Sequence, residues 1–336
     1  MLKVVADVLV ELGLHQPQSH LAYHINITSG ESLAVSVFAS KQQFFQVKAS
    51  EFSDLRGQYE RYCRASRDFP SFVPRPLGYR ARDGWSIMVS EGVQHTPVHA
   101  GGSRSGRKIE STLFDPALDF FKVGAQHAAP NASGSHGELF GELARHFHAT
   151  PFAAIAVRAI QSARSLGADS WGRLPQHGDF VINNLGHSSR GLVVFDWEDY
   201  GQIELPGFDI FTLVLSLLPE SAPRPTTYVV RPPRGGETLG AGRRLFLMSA
   251  DGLRSVMGSS VPDRHLDLFI DRACSLQGID RSVFGRLIPL YLVVFLYLKR
   301  NYGVAIRERI GDLLRQISAA NGLNGAPRAR AESEGA

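Results

Sequence analysis

Apolar and polar residues alternate along the first part of the chain with the period of a helix and then with the period of strands. Charged residues recur every four positions within MLKVVADVLVELGL, which is typical of an amphipathic helix and not of a signal peptide. Short β-rich runs separated by turn signals predict three antiparallel strands between residues 22 and 50. A helix with Ser53 as its N-cap follows, and then two strands around WSIMVSEG. These elements predict a first lobe built on a five-stranded sheet.

The rest of the chain has mostly the period of helices. Apolar residues at helical spacing are found in GELFGELARHFHA, in FDIFTLVLSLL and through most of residues 243–319. The apolar run LIPLYLVVFLYL, residues 287–298, is short for a membrane span and contains Pro289, which indicates a buried core helix. The predicted fold class is therefore α+β, with a β-rich N-terminal lobe and a mostly helical C-terminal lobe.

Shifts in composition give the domain boundaries. Residues 99–135 and 222–244 are rich in small, flexible or basic residues, which predicts a linker with a mobile insertion and then a second loop-like insertion. The last residues, 326–336, have the composition of a disordered tail. The two predicted lobes are residues 1–93 and 94–325.

Composition and charge narrow the class of protein. The 336 residues are 43% hydrophobic and 20% charged, as in an ordinary folded globular protein. The net charge of +4 is spread over small clusters, so we expect neither a nucleic acid nor a membrane as partner. Only Cys63 and Cys274 occur, which excludes a disulfide framework and a Cys-based zinc site. Because no export signal is visible, we expect a cytoplasmic protein.

The segment LPQHGDFVINNLGHSSRGLVVFDWEDYG, residues 174–201, carries the candidate chemistry. Asp179 and Asn184 stand five positions apart, and a hydrophobic run delivers Asp196 at the end of a strand. Phosphoryl transfer from a nucleotide needs one carboxylate that faces the acceptor hydroxyl, and an amide and a second carboxylate that hold Mg²⁺ against the phosphates. Taken singly, these residues could equally build turns and end a strand. Their joint order and spacing favour phosphoryl transfer.

The wider motif resembles the aminoglycoside phosphotransferases and choline kinases, the small-molecule branch of the protein-kinase-like fold. The shared pattern is His-x-Asp-x-x-x-x-Asn, a strand ending in Asp-[Trp/Phe]-Glu, a Gly and a later Asp, here His177, Asp179, Asn184, Asp196-Trp197-Glu198, Gly201 and Asp209. The resemblance implies a two-lobed protein-kinase-like fold. It also implies that two of these residues, His177 and Asp209, are structural braces of the catalytic loop.

The resemblance assigns the reactive roles to four other residues. It implies that Asp179 is the catalytic base or orients the acceptor hydroxyl. Asn184 and Asp196 would bind Mg²⁺, and Glu198 would support a second metal ion. We therefore expect Mg²⁺ as the cofactor, with ATP or GTP as the co-substrate.

The same resemblance places the nucleotide on the first lobe. Such a lobe needs a strand lysine that holds the α- and β-phosphates and a helix acid that orients it. Lys48, at the end of the third predicted strand, and Glu60, in the helix that follows, are the candidates. For Glu60, a surface ion pair with Arg56 or Arg64 is the alternative.

Two further segments are candidates for nucleotide contacts. Backbone groups of Ser90, Glu91 and Val93 in SIMVSEGV would bind the adenine edge at the hinge between the lobes. Ser29 and Gly30 in ITSGES would turn over the phosphates, although an ordinary hairpin has the same appearance. This turn departs from the Gly-x-Gly-x-x-Gly loop of protein kinases, which leaves the choice between ATP and GTP open.

The leading functional prediction is Mg²⁺-dependent transfer of the γ-phosphoryl group of ATP or GTP to a hydroxyl of a small molecule. Arginines dominate the charge of residues 222–244, and basic residues recur at 104–108. If either segment borders the acceptor site, a neutral or anionic acceptor is favoured over a polycationic one. The alternative is a catalytically weak pseudokinase that senses a nucleotide or binds a protein. A protein kinase is less favoured because no Arg follows His177, and a homodimer through the apolar run at 287–298 stays open.

Overall fold

The computed structural model describes residues 1–16, 20–27, 32–39, 43–98, 110–129, 136–217, 250–258, 263–301 and 304–320. Its first lobe is a five-stranded antiparallel sheet with the strand order β1-β2-β3-β5-β4. The elements of this lobe are α1 (Leu2–Glu11), β1 (Ala22–Ile27), β2 (Leu33–Phe38), β3 (Phe44–Ser50), α2 (Arg56–Asp68), β4 (Pro76–Arg82) and β5 (Trp85–Glu91). The predicted amphipathic helix and five-stranded sheet are confirmed.

The helix α1 covers the sheet with its apolar face. Val5, Val8 and Leu9 recur at helical spacing, and all three are fully buried. They form one cluster with inward-facing residues of the strands, including Val35, Val37, Val47, Ile87 and Val89. Because full burial of a Val or Leu side chain contributes about 1.5–3 kcal/mol, this cluster is the main support of the sheet.

The start of α2 differs from the prediction. Its N-cap is Leu55, and not Ser53. The Ser53 hydroxyl instead lies 2.9 Å from the hydroxyl of Ser50. The Asp54 carboxylate accepts the backbone N–H of Arg56 at 2.9 Å, and a charged oxygen is a stronger acceptor than a hydroxyl. The prediction was wrong because the stronger acceptor lies one residue closer to the helix.

The second lobe is mostly helical and carries one small sheet of three strands, in the order β6-β7-β8. The elements described in this lobe are β6 (Thr96–Pro97), α3 (Asp115–Ala125), α4 (Gly137–Phe147), α5 (Ala153–Ser165), β7 (Leu185–Ser188), β8 (Gly191–Val194), α6 (Phe208–Leu217), α7 (Ala250–Met257), α8 (Arg264–Leu276), α9 (Arg281–Leu298) and α10 (Val304–Ala320). The antiparallel hairpin β7–β8 brings Asn184, just before it, close to Asp196, just after it, because Leu185 pairs with Val194. The predicted α+β architecture is confirmed.

Part of the predicted mobile insertion at 99–135 belongs to the core. A π-helical turn, Glu110–Phe114, leads into α3, and Pro116 stands in the first turn of that helix, where its missing N–H costs nothing. Phe120 and Phe121 are buried, and the Phe120 ring stacks on Phe180, within the segment 174–201, at 4.5 Å between centroids. The prediction was wrong here because the Gly- and Ser-rich flanks outweighed a short amphipathic run.

The helix α9 is the buried core helix expected from the apolar run at 287–298. Its 18 residues and mean hydropathy of 1.5 would also suit a membrane span, but 72% of it is buried inside the fold. Within it, the Tyr291 hydroxyl donates to the carbonyl of Pro206 at 2.7 Å, just before α6 begins. The helix therefore supports the segment that carries Asp209.

Some predictions fall on residues outside the described ranges. These are the turn at Ser29 and Gly30, the basic residues at 104–108, the insertion at 222–244 and the tail at 326–336. The boundary near residue 93 stays a prediction: β5 ends at Glu91, and β6 already pairs with β7 in the second lobe.

Candidate active site

Asp179 lies in a tight loop between α5 and β7, with its carboxylate held on one side. The Asn184 amide donates to the Asp179 backbone carbonyl at 2.9 Å and to its Oδ2 at 3.2 Å. The ammonium of Lys299 lies 3.1 Å from the same Oδ2. Two donors thus converge on one carboxylate oxygen, which fixes the direction of the other.

His177 is fully buried beneath this loop and joins it to the end of β8. Its Nε2–H donates to the carbonyl of Phe195 at 2.8 Å, and its Nδ1 accepts the N–H of Asp179 at 3.2 Å. Burial lowers the pKa of His177 to about 4, against the opposing effect of Asp179. A neutral imidazole with one donating and one accepting nitrogen fits these two partners, so His177 occupies the position predicted for a structural brace.

Asp209 supports the loop from below, at the start of α6. Its two carboxylate oxygens accept the backbone N–H groups of His177 at 2.6 Å and Gly178 at 2.9 Å. Burial raises the pKa of Asp209 to about 7, although both hydrogen bonds act in the opposite direction. The position of Asp209 fits the second predicted brace.

The Asp-Trp-Glu segment follows β8 in a sharp turn. Asp196 has a left-handed backbone with φ of 66°, which is uncommon for a residue other than glycine and leaves its side chain exposed. Trp197 is fully buried, donates to the Val194 carbonyl at 2.7 Å and contacts the His177 ring edge-on at 4.6 Å. The buried Trp197 therefore fixes the turn that presents Asp196 to the cleft.

Lys48 contacts a different carboxylate from that of Glu60, its predicted partner. Glu60 is exposed on the outer side of α2, whereas the Lys48 ammonium contacts the carboxylate of Glu198 from the Asp-Trp-Glu segment. Arg61, the next residue of α2, turns toward the cleft and donates from Nε to the backbone carbonyl of Glu198 at 2.5 Å. Burial lowers the pKa of Lys48, and the carboxylates of Asp196 and Asp199 oppose that effect. The carboxylate that contacts Lys48 therefore comes from the other lobe, and the role of Lys48 in phosphate binding stays a prediction.

The predicted hinge residues Ser90 and Glu91 end β5, and Val93 lies between β5 and β6. The Ser90 hydroxyl points to the Gln46 carbonyl at 3.5 Å, and the Glu91 carboxylate pairs with Arg190 at 2.7 Å. Val93 is buried, and its carbonyl accepts the Nδ1–H of His95 at 2.9 Å. The Val93 carbonyl thus already accepts one hydrogen bond, and the role of the hinge in base binding stays a prediction.

The donor set fits Mg²⁺ only in combination with phosphate oxygens. Within the described ranges, no three His, Cys, Asp or Glu side chains form a preformed metal site. Asn184 uses its amide nitrogen on Asp179, which leaves its Oδ1 for a cation, and Asp196 is exposed. Mg²⁺ is commonly held by one or two carboxylates together with substrate phosphates, which matches this pair. Glu198 contacts Lys48 through Oε2, and its role at a second metal ion stays a prediction.

Three residues of the site were not predicted. Asp199 lies beside Lys299, with Oδ2 at 4.0 Å from the ammonium, and burial raises its pKa. Asp199 also packs against the loop, because a Cβ on Gly178 would lie 2.9 Å from the Asp199 Cβ. Lys299 and Arg61 come from helices distant in sequence, and no local motif marks either one. Asp199 alone had a local signal, since it is part of the quoted motif.

Several solved protein structures are similar to this chain over nearly its whole length. No protein-family model and no curated protein matches the sequence. Among solved structures, a choline kinase from Cryptosporidium parvum matches with a TM-score of 0.55 and 11% identity over 96% of this chain and 98% of that one. Aminoglycoside phosphotransferase APH(4)-Ia matches with a TM-score of 0.56 and 13% identity over 96% and 99% of the two chains.

The chain has the two-lobed protein-kinase-like fold. A putative fructosamine-3-kinase from Haemophilus somnus is a third match, with a TM-score of 0.55 and 13% identity over 94% of this chain and 97% of that one. The resemblance read from the motif is thereby confirmed at the level of the fold. At such identities the fold alone is shared, so the roles of individual residues depend on the geometry above.

Proposed function

We propose that this chain transfers the γ-phosphoryl group of ATP or GTP to a hydroxyl group of a small molecule in a Mg²⁺-dependent reaction. The observation that carries the proposal is a group of two neighbouring ion-pair clusters, one at Lys48 and one at Lys299. In the first cluster, Lys48 of β3 forms an ion pair with Glu198, and the negative charges of Asp196 and Asp199 act to raise the pKa of Lys48. In the second cluster, Asp199 shares Lys299 with Asp179. A phosphate-binding cation and a proton-accepting carboxylate are thus set on opposite sides of one cleft.

Each residue has a role that follows from its position. Asp179 would take the proton of the acceptor hydroxyl as the hydroxyl oxygen attacks the γ-phosphorus, and Lys48 would hold the α- and β-phosphates. Asn184 through Oδ1 and Asp196 through its carboxylate would hold Mg²⁺, which when bound neutralises charge on the β- and γ-phosphates. His177 and Asp209 keep Asp179 in place and contact no reacting atom.

The structural neighbours support a small-molecule acceptor. The matched structures are a choline kinase, an aminoglycoside phosphotransferase and a putative fructosamine-3-kinase. One structure of a thermostable mutant of the aminoglycoside phosphotransferase holds ADP and hygromycin B. These names indicate nucleotide-dependent chemistry on small molecules in proteins of this fold.

The charges near Asp179 favour a neutral or anionic acceptor over a polycation. A polycationic acceptor is drawn to uncompensated carboxylates. Here Lys299 lies between the carboxylates of Asp179 and Asp199, and Arg61 adds a second cation on the nucleotide side. The carboxylates of the cleft are thus largely compensated by the chain itself.

A pseudokinase is the second candidate, and one observation favours it. Glu198 occupies the ammonium of Lys48, where the phosphates of a nucleotide would bind. A nucleotide would have to compete with this carboxylate, which would weaken binding. Turnover separates the two candidates, because a pseudokinase would bind nucleotide or a protein without transferring phosphate.

Nucleotide binding is the first test. Calorimetric titration of ATP and GTP, with and without Mg²⁺, should give binding that needs Mg²⁺ and that weakens at least tenfold in Asp196→Asn. The exposed Asp119 on α3 supplies the control, since Asp119→Asn makes the same change outside the cleft. Absence of nucleotide binding under every condition would overturn the proposal.

Transfer is the second test. ADP release should be measured with Mg²⁺·ATP and a panel of acceptors: a polyol, a sugar phosphate, a nucleoside and an aminoglycoside. Asp179→Asn should lower kcat by about 10²–10⁴, the usual contribution of a general base, while the nucleotide Kd stays within twofold. Full activity in Asp179→Asn would remove Asp179 from its role, and preferred turnover of the aminoglycoside would refute the acceptor class.

A further inference from the structure

Lys299 brings a cation into the active site from a helix outside the motif. It follows α9 directly and begins the 3₁₀ turn Lys299–Asn301. Its side chain is 5% exposed, which is rare for a lysine, and its ammonium lies 3.1 Å from Oδ2 of Asp179 and 4.0 Å from Oδ2 of Asp199. The C-terminal end of a helix also favours a cation.

The catalytic loop has no cation of its own. Residues 177–184 read HGDFVINN and contain neither Lys nor Arg. Asn184 and Lys299 both act on Oδ2 of Asp179, at 3.2 Å and 3.1 Å. Both of these contacts fall on the same oxygen of the carboxylate. The two oxygens of the catalytic carboxylate are thus made unequal by the fold.

We propose that Lys299 is a positioning residue that clamps Oδ2 of Asp179, together with Asn184, so that Oδ1 is the atom that receives the acceptor proton. The inference rests on the function proposed above. In the step, the acceptor O–H proton passes to Oδ1 while the acceptor oxygen forms a bond to the γ-phosphorus. The bond from that phosphorus to the β,γ-bridging oxygen breaks, and the nucleoside diphosphate leaves with the electron pair. Lys299 keeps its proton throughout.

Asp199 completes the arrangement. Its carboxylate holds the ammonium of Lys299 from the second side, and its Cβ packs against Gly178 of the catalytic loop. The two carboxylates paired with Lys299 therefore come from the catalytic loop and from the turn after β8. The Phe295 ring of α9 supplies an aromatic wall, with its centroid 5.6 Å from the ammonium. Lys299 couples the position of Asp179 to the loop that carries Asp196.

The test compares variants for kcat and KM separately, using Mg²⁺·ATP with the acceptor that turns over fastest in the panel above, and water as acceptor in parallel. A misplacement of about 1 Å costs on the order of 10²-fold in rate, so Lys299→Met should lower kcat about 100-fold. Its KM and calorimetric Kd for Mg²⁺·ATP should stay within threefold. Lys122→Met, at an exposed site on α3, makes the same substitution as a control and should match the wild type.

The double variant Asp179→Asn/Lys299→Met distinguishes a positioning role of Lys299 from a general structural defect. If Lys299 acts through Asp179, then Lys299→Met should cost less than threefold in an Asp179→Asn background, because residues that act as one unit are not additive. A structural defect would instead lower both backgrounds equally. Because loss of one partner from a buried ion pair is strongly destabilising, Lys299→Gln, which keeps a donor without the charge, serves if Lys299→Met does not fold.

The possible failures are distinguishable. Lys299→Met with kcat within threefold of an active wild type overturns this inference and leaves the proposed function standing. Equal losses in both backgrounds also overturn it. A wild type that binds Mg²⁺·ATP but transfers phosphate to no acceptor and not to water removes the proposed function, and the assignment of Lys299 falls with it.

Discussion

Replacing Asp209 with Asn should separate the stability of this protein from its activity. Asp209 carries a buried carboxylate whose pKa burial raises from 3.8 to about 7. A carboxyl group with a folded-state pKa above its unfolded value stabilises the fold most at low pH, below the unfolded value. That contribution is lost as the pH rises through about 7. Asp209→Asn abolishes this pH dependence because an amide does not titrate.

The magnitude follows from the shift. About three pH units, at roughly 1.36 kcal/mol per unit, make the charged carboxylate cost about 4 kcal/mol above pH 7. The Asn side chain can accept only one of the two N–H groups from His177 and Gly178, and the orphaned N–H costs about 1–3 kcal/mol. At pH 7.5 the variant should therefore be as stable as the wild type or more stable.

The sharper expectation concerns the change with pH. Between pH 5 and pH 7.5 the variant should gain roughly 2–3 kcal/mol in unfolding free energy relative to the wild type, because the wild type loses that amount as Asp209 ionises. Urea unfolding, followed by circular dichroism and tryptophan fluorescence, measures it at both pH values. Asp119→Asn, at an exposed position, should differ from the wild type by the same amount at each pH. Phosphoryl transfer by Asp209→Asn should fall at least tenfold because one of the two loop anchors is lost.

Two results would refute this reasoning. A stability difference that is the same at pH 5 and pH 7.5 would mean that the pKa of Asp209 is not raised in the folded state. Full activity in Asp209→Asn would mean that the carboxylate does not hold the catalytic loop in its working position.

Two further substitutions, each with a control variant, test the loop that carries Asp179 and the predicted nucleotide-binding site. Gly178→Ala should cost more unfolding free energy than Gly84→Ala and should abolish transfer. Both glycines have φ near 80–87°, which strains an Ala by about 1–3 kcal/mol, but only a Cβ on Gly178 meets a neighbour, at 2.9 Å from Asp199; equal costs would contradict the contact. Lys48→Met should weaken Mg²⁺·ATP binding at least tenfold by calorimetry, whereas Glu60→Gln should stay within twofold. An equal loss in both variants would show that Glu60 turns to Lys48 when nucleotide is bound.

The sequence predicted the parts of this molecule that depend on short-range pattern. The alternation of apolar residues placed the five strands, and the motif placed Asp179, Asn184 and Asp196 in one cleft. The motif residues lie near one another because the loop of Asp179 and the turn of Asp196 flank one hairpin, in which Leu185 pairs with Val194. Residues that are close in the sequence are then also close in space, so a short motif predicts that they lie together.

The exposure of Glu60 could have been predicted from the helical pattern of α2. The buried residues of α2 are Tyr62 and Ala65, which lie on one helical face. At about 100° per residue, Glu60 stands roughly 200° from Tyr62, and therefore on the solvent side. The same rule puts Arg61 at the margin of the buried face, which is where it meets the Glu198 carbonyl. The carboxylate that pairs with Lys48 comes instead from the motif itself, across the cleft.

The position of Lys299 beside Asp179 could not have been predicted from any sequence pattern. It is the first charged residue after the apolar run of α9, and a lysine at that position is ordinarily solvated because the run simply ends there. Its contact with Asp179 exists because α9 is buried with its C-terminal end under the catalytic loop, and because Asp199 offers a second carboxylate at the same point. Two acidic side chains so close would repel each other in the free loop. The packing of a distant helix therefore supplies the cation that lets the motif hold both carboxylates together.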